Sequence, residues 1–572
     1  MTESTTTTRP NITALRERPR AEVLIIGGGI NGIATFRDLA LQGVDVALVE
    51  RGDYVSGASS ASSHMVHGGV RYLENGEFRL VRESVTERNR LVRNAPHFVR
   101  PLPTTIPIHK TFSGILTAPF RLLVSHGRGK PRERGALLIK TGLIIYDTFS
   151  RDGGAVPRHR FHGRKKSHEL FPDLDGRFAY TATYYDASMH DPERLALDVL
   201  RDGLREESAR AANYAPVVGS DGSSVIIRDE LTGEQFPFTA KVVVNTSGPW
   251  TDITNAALGE PTRFMGGTKG SHIVLENAEL LDATRGNEIF FEASDGRIVL
   301  IYPLKGRVMV GTTDIDADPS KPTVCTDDEI DYFFDLIAQV FPHISVSREQ
   351  IVYTFSGIRP LPRHDDVAPG FVSRDYRIER ASLDDVPVLS LVGGKWTTFR
   401  ALSEHISTDV MQLLGRPRTV STTDLAIGGG AGYPRTDADR RRWVEAHRGA
   451  HAAEFADRML ERYGTYAAEL LSSLPVTQHP LAHAPGYSQE EIALLAAREE
   501  VVSLIDLLLR RTSIAFVGGV TGDTLVEVAN AAAPALGWDA DETDAQVAAA
   551  TETLRDAHRI DVSTASLAPQ HA

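Results

Sequence analysis

Four basic residues stand beside glycine-rich or turn-forming stretches: Arg71 in HGGVRYLE, Arg359 in SGIRPL, Arg374 in SRDY and Lys395 in GGKWTTFR. Arginine offers planar bidentate donors and lysine a compact point charge, so together they suit a phosphomonoester. A second constellation is VLIIGGGINGIATFRDLALQGVDVALVE, from Val23 to Glu50. Gly27 permits a tight turn, Gly29 lets backbone N–H groups approach a pyrophosphate, and Gly32 allows close helix packing. The helix that follows turns its N-terminus toward phosphate charge. Glu50, about twenty residues downstream, lies where a carboxylate accepts hydrogen bonds from ribose hydroxyls. It also argues against a 2′-phosphate, since two anions would meet. Small hydroxyl residues from Ser56 to Ser63 leave room for a pyrophosphate and a flat ring. Ser59, Ser63, His67 and Gly68 are therefore candidate cofactor contacts.

Three strand-to-glycine junctions must position these groups. Val23 to Ile26 reads as a strand, the glycines as a turn, and the stretch to Leu41 as a helix that Gly43 stops before a second strand, Val44 to Val49. Lys241 to Asn245 is another buried strand, running into a turn with Gly248 and Trp250. Val386 to Val392 is a third, followed by Gly393, Gly394, Lys395 and Thr397 and then a helix whose N-terminal dipole can face negative charge. Between the second and third, the segment from Thr262 to Val392 is strand-rich, with one helix, Asp327 to Val340, capped by Thr326. Residues Ala215 to Pro237 read as a hairpin. Beyond Gly428 the pattern is helical to about Ile560.

Composition limits the classes. The 572 residues suffice for several lobes, and 41% hydrophobic with 24% charged content is ordinary for a globular protein. A net charge of −13 does not recommend nucleic acid as a partner. Cys325 is the single cysteine, which excludes an intrachain disulfide framework and a cysteine metal cluster. Its acidic neighbours Asp327 and Asp328 discourage a thiolate, and a reducing compartment fits best. No apolar run is long enough to span a bilayer. The stretch from Ile115 to Tyr146 mixes apolar residues with Arg121, Arg128, Lys130, Arg132, Arg134 and Lys140. It suits either a peripheral contact with anionic lipid or a buried helix pair joined by a basic loop.

The motifs HGGVRYLE, NTSGPWTD, KGSHIVL, GTTD, SGIRPL, SRDY and GGKWTTFR run in order from about residue 20 to 425, with LLLRRT further on. In these the chain resembles the FAD-dependent, respiratory-type glycerol-3-phosphate dehydrogenases of the D-amino-acid-oxidase-like flavoproteins. One departure is His64, where that family usually carries Lys. The resemblance implies an α/β fold: a Rossmann-like FAD-binding domain of discontinuous segments (21–110, 180–255 and 360–425), a β-rich substrate or cap domain (111–179 and 256–359) and a C-terminal α-helical domain (430–560). Residues 1–20 and 561–572 are expected to be a disordered arm and tail.

It further implies oxidation of sn-glycerol 3-phosphate to dihydroxyacetone phosphate, with electrons leaving FAD for a membrane quinone. His272 would take the hydroxyl proton and Arg359 stabilise charge on the C2 oxygen, while Arg71, Arg374 and Lys395 hold phosphate and Tyr72 bonds or packs nearby. No metal is called for. The expected setting is cytoplasmic, peripheral to the inner face of the cell membrane, with a homodimer possible in principle. The alternatives are an oxidase that reduces oxygen to peroxide and, in another class, a non-catalytic flavin-binding or RNA-modification partner protein.

Overall fold

The computed structural model describes residues 9–69, 78–109, 136–150, 156–293, 297–363 and 375–562. Its first sheet is ordered Arg377–Leu383, Val386–Val392, Gln235–Asn245, Arg20–Ile26, Val46–Val49, Arg210–Ala212. Neighbours from Val386–Val392 onward pair in parallel, and Arg377–Leu383 is an antiparallel edge. The strands Val217–Asp221 and Ser224–Arg228 form the hairpin, which continues antiparallel onto Gln235–Asn245.

Parallel strands covered on both faces need unbroken apolar runs, and Val23 to Ile26 are all buried. Val23 and Ile25 meet the helices Ile30–Leu41, Pro192–Leu204 and Phe399–Leu413. Leu24 and Ile26 face the other way, onto Phe236, Phe238, Ile12 and Leu15. Those last two correct the disordered arm: Pro10–Glu17 is a helix, and its two apolar residues, one turn apart, fill the sheet's second face. Registers Ile26↔Asn245, Ile26↔Val49 and Asn245↔Ser390 bring the three glycine junctions to one edge. In an open α/β sheet that edge is where ligands bind.

Among the described residues the second sheet has ten strands. Met265–Leu275 lies next to one edge, between Arg307–Gly311 and the edge strand Ile351–Pro362, which pairs with it over almost its whole length. Val99–Ile108 and Tyr180–Met189 pair with each other in this sheet over ten positions, from Val99↔Met189 to Ile108↔Tyr180. They therefore leave the dinucleotide segments to which their position in the chain had assigned them. Sequence order carries no information on such a long-range pairing.

Strand alternation sorts the second sheet's faces. Ile273, Leu275, Val308 and Val310 pack under the helix Asp327–Val340, whose start is a capping box of Thr326 and Glu329. Val274, Met309, Tyr302, Tyr353 and Phe355 face the other way and join the core of the C-terminal helices. His272 shares this second face. Cys325 is buried, and burial followed by Glu329 pushes its thiol up to about 12. Among the described residues no helix is long and apolar enough to cross a membrane. The expected lipid-contact stretch lies largely outside the described residues; its last part belongs to the helix Ala136–Ser150, where Leu143 and Tyr146 are buried and Ile144 is exposed.

Candidate active site

The glycine turn and Glu50 are bonded directly. Gly28 N–H donates to Glu50 Oε2 at 2.6 Å, and Gly52 N–H donates to Oε1 at 3.0 Å. Burial pushes the Glu50 carboxyl up against the pull of those two donors. A Cβ at Gly32 would stand 2.0 Å from the Gly27 carbonyl oxygen, so only glycine lets the helix start there. Ser59 Oγ accepts from Ile30 N–H at 3.0 Å, at the N-terminus of Ile30–Leu41.

The third junction closes over the same point. Trp396 Nε1 donates to the Ser59 carbonyl at 2.8 Å, and Thr397 Oγ1 donates to the His67 carbonyl at 3.3 Å. Gly394, at φ +112°, leaves a gap that a Cβ would fill to within 2.7 Å of the Asn31 amide nitrogen. Asn31 Oδ1 is buried with no partner among the described residues. A helix N-terminus, a carboxylate at the strand end and a glycine-lined cradle with an unsatisfied acceptor fit the pyrophosphate and ribose of FAD.

Other expected cofactor contacts also have partners within the protein. Trp250 donates from Nε1 to the Pro319 carbonyl at 2.7 Å, and the Arg51 guanidinium lies over its ring at 3.9 Å. Gly248, at φ +62°, opens the turn before it. Gly68 N–H donates to Asp186 at 2.9 Å, and a Cβ there would strike the Tyr146 hydroxyl, so its glycine is explained by packing on the buried Arg88–Asp186 pair.

The hydroxyl-rich loop 56–63 also touches two paired strands of the second sheet, Met265–Leu275 through Ser63 and Ile351–Pro362 through Ala61. In the register His272↔Phe355 and Thr268↔Arg359, His272 and Arg359 project from the same face. Arg359 donates to Asp314 at 2.9 Å, to Thr312 Oγ1 at 2.9 Å and to the Thr313 carbonyl at 3.0 Å. Its guanidinium lies over Gly270, where a Cβ would come within 2.2 Å of it. The His272 ring stacks on Phe355 with centroids 4.6 Å apart, and a Cβ at Gly311 would lie 2.1 Å from its Cδ2. Ser63 Oγ is 2.8 Å from its Nε2, while Nδ1 has no partner among the described residues. Burial, then Arg359, then His64 hold the imidazole well below its ordinary value, so it is neutral and able to accept a proton.

Lys395 is half-buried at the third junction and lies near Glu83, whose carboxyl burial pushes up despite the opposing pull of Arg79 and Lys395. Arg71, Tyr72 and Arg374 lie outside the described residues. His64 is buried, and burial foremost pushes it down to about 4, so at neutral pH it is not a cation in place of the family's lysine. Ser63, expected at the cofactor, holds His272. Phe355 was missed, although YTFSGIRPL places it four residues before Arg359 and hence on its strand face. Asp314 was passed over within GTTD.

A family profile described as FAD dependent oxidoreductase matches residues 22–374, and one described as the C-terminal domain of alpha-glycerophosphate oxidase matches 420–543. A glycerol-3-phosphate dehydrogenase of Synechocystis sp. is 32% identical over 553 residues, covering 92% of this chain and 95% of that protein. The chain belongs to the FAD-dependent oxidoreductase family, among its glycerol-3-phosphate dehydrogenases. D-erythritol 1-phosphate dehydrogenase of Brucella abortus is 31% identical, covering 87% of this chain and 95% of that protein. Glycerol-3-phosphate dehydrogenase 2 of Mycobacterium tuberculosis is 30% identical, covering 92% and 87%. The crystal structure of glycerol-3-phosphate dehydrogenase from Bacillus halodurans complexed with FAD superposes with a TM-score of 0.70 at 22% identity, covering 96% of this chain and 99% of that one, and shares the fold. FAD is the cofactor of this oxidoreductase.

Proposed function

We propose that this oxidoreductase converts sn-glycerol 3-phosphate to dihydroxyacetone phosphate and passes the electrons to a membrane quinone. The observation that carries this reading is the common face of His272 and Arg359, tied through Ser63 to the hydroxyl-rich loop that Trp396, next to Lys395, also bonds. Bound FAD supplies the hydride acceptor. His272, fixed by Ser63 and Phe355, takes the proton from the C2 hydroxyl. Arg359 stabilises the charge that develops on that oxygen, and its pairing with Asp314 and Thr312 fixes the orientation of its guanidinium. Lys395, with Arg71 and Arg374, holds the phosphate. Oxidation at C2 then leaves a ketone and one proton on the imidazole.

The cofactor contacts of this reading are Gly27, Gly29, Gly32, Glu50, Ser59, His67, Gly248, Trp250, Gly394 and Thr397. We place the protein in the cytoplasm, held peripherally at the membrane where the quinone is found, and as a homodimer. A second substrate reading is a longer polyol phosphate, favoured by the relative named D-erythritol 1-phosphate dehydrogenase.

The test mixes purified flavoprotein anaerobically with each phosphate and then admits quinone or air. Bleaching by glycerol 3-phosphate and rapid recovery with quinone are expected. Faster bleaching by erythritol 1-phosphate would reassign the substrate, stoichiometric peroxide without quinone stimulation would make it an oxidase, and no bleaching would favour a non-catalytic flavin protein.

A further inference from the structure

We infer that the C-terminal helical domain holds the turn carrying Glu50, through a buried ion cluster centred on Asp53, so that Asp53, Arg510 and Arg511 are positioning residues for FAD binding. Asp53 is 1% exposed, three residues beyond Glu50. It accepts hydrogen bonds from Arg510 Nε, from both terminal nitrogens of Arg511 at 2.6 and 2.8 Å, and from Asn213 Nδ2 at 3.0 Å. Arg510 also donates to the buried Asp506 at 2.6 Å, so two carboxylates face two guanidinium groups. Burial alone would push Asp53 up, but Arg511 and Arg510 hold it far below the usual carboxylate range.

Neighbouring residues of a regular helix do not point the same way. Arg510 and Arg511 both reach one carboxylate from the π-helical turn Leu507–Arg511, a widened geometry that recurs at functional sites.

From Asp53 the restraint passes directly to the cofactor cradle. Tyr54 donates its hydroxyl to Glu500 at 2.7 Å, and its ring lies 2.9 Å from where a Gly28 Cβ would stand. Val55 N–H donates to the Gly28 carbonyl at 2.9 Å. Glu50 is bonded at both oxygens, to Gly28 and to Gly52, within the same turn. The turn thus wraps Gly28, which bonds Glu50, and the C-terminal domain grips its outer side. A charged cluster sealed from water is costly when one partner is lost, so the grip is specific to this arrangement.

The experiment titrates FAD into full-length apoprotein and melts it with and without FAD. Asp53→Asn keeps the shape and removes the charge; its FAD dissociation constant is expected to rise about tenfold. The upward shift in Tm that FAD gives should shrink with it. As a control, Arg440→Met removes the Arg440–Asp457 pair inside the C-terminal domain and should lower both melting points while leaving FAD affinity unchanged. If Asp53→Asn does not fold, Tyr54→Phe, which loses the hydroxyl bond to Glu500, should weaken FAD about threefold. Folded Asp53→Asn or Tyr54→Phe protein that binds FAD as the native chain does would overturn the inference, as would loss of FAD affinity in Arg440→Met.

Discussion

At His272 the described neighbours are a hydroxyl on one nitrogen, a phenyl ring on one face and a glycine where a methyl group would strike the imidazole. Such a ring is positioned as well as neutral, which is what a general base needs. His272→Asn should therefore slow anaerobic flavin reduction by about a hundredfold or more, with the oxidised flavin spectrum unchanged. Because burial and Arg359 depress its pKa, the native rate at saturating substrate should show no loss from imidazole protonation between about pH 7.5 and 6. Stopped-flow traces over that range check both expectations. The motif KGSHIVL made His272 legible, and the hydroxyl run made Ser63 a candidate cofactor contact without its bond to His272. Nothing in the sequence joins residues 63 and 272; a fold has to bring a loop of one domain onto a strand of the other.

Between paired strands, fit depends on register. His272 lies opposite Gly311 on one side and Phe355 on the other, so the imidazole occupies a slot whose floor is a missing side chain. Gly311→Ala should push the ring off Phe355, leave FAD bound and cost about as much in flavin reduction as His272→Asn. Paired measurements of bound flavin and reduction rate test this, and a native rate would show that the slot is not needed. The three strand-to-glycine junctions were readable one at a time, since each is an apolar run ending in glycine. Their assembly into one flavin domain came with the family resemblance, whereas the parallel registers that realise it join strands more than a hundred residues apart. The pairing of Val99–Ile108 with Tyr180–Met189 escaped because it too is long-range, and Pro10–Glu17 escaped because Ile12 and Leu15 have meaning only against a face they cover.

Across the whole molecule, burial sets a pH optimum for stability. His64, His190 and His558 are pushed down to about 4, chiefly by burial, and His272 further. The unfolded chain takes up protons at these sites as pH falls below the ordinary histidine value, so their contribution is lost toward acid. Glu193 and Glu288 are pushed up to about 8 by burial and stay protonated when folded. Unfolded, they ionise above the ordinary carboxyl value, so their contribution is lost as pH rises. Each proton of difference is worth about 1.4 kcal/mol per pH unit, and for these six groups the opposing slopes cancel at roughly pH 6 to 7. Calorimetry of the apoprotein should find its highest Tm in that interval, with a fall on both sides. The helical C-terminal domain was legible as a separate pattern of helices, but its core is shared with the inner face of the second sheet. Helical periodicity gives an apolar face without its partner.

The central claim is that the carbinol carbon of a phosphorylated polyol faces the flavin between His272 and Arg359. Its most direct test is the anaerobic rate of flavin reduction with glycerol 3-phosphate deuterated at C2, against the same compound deuterated at C1. The account predicts a primary isotope effect from C2 alone. Equal rates for the C2-deuterated and unlabelled substrates, in a step shown to be limited by reduction, would contradict it.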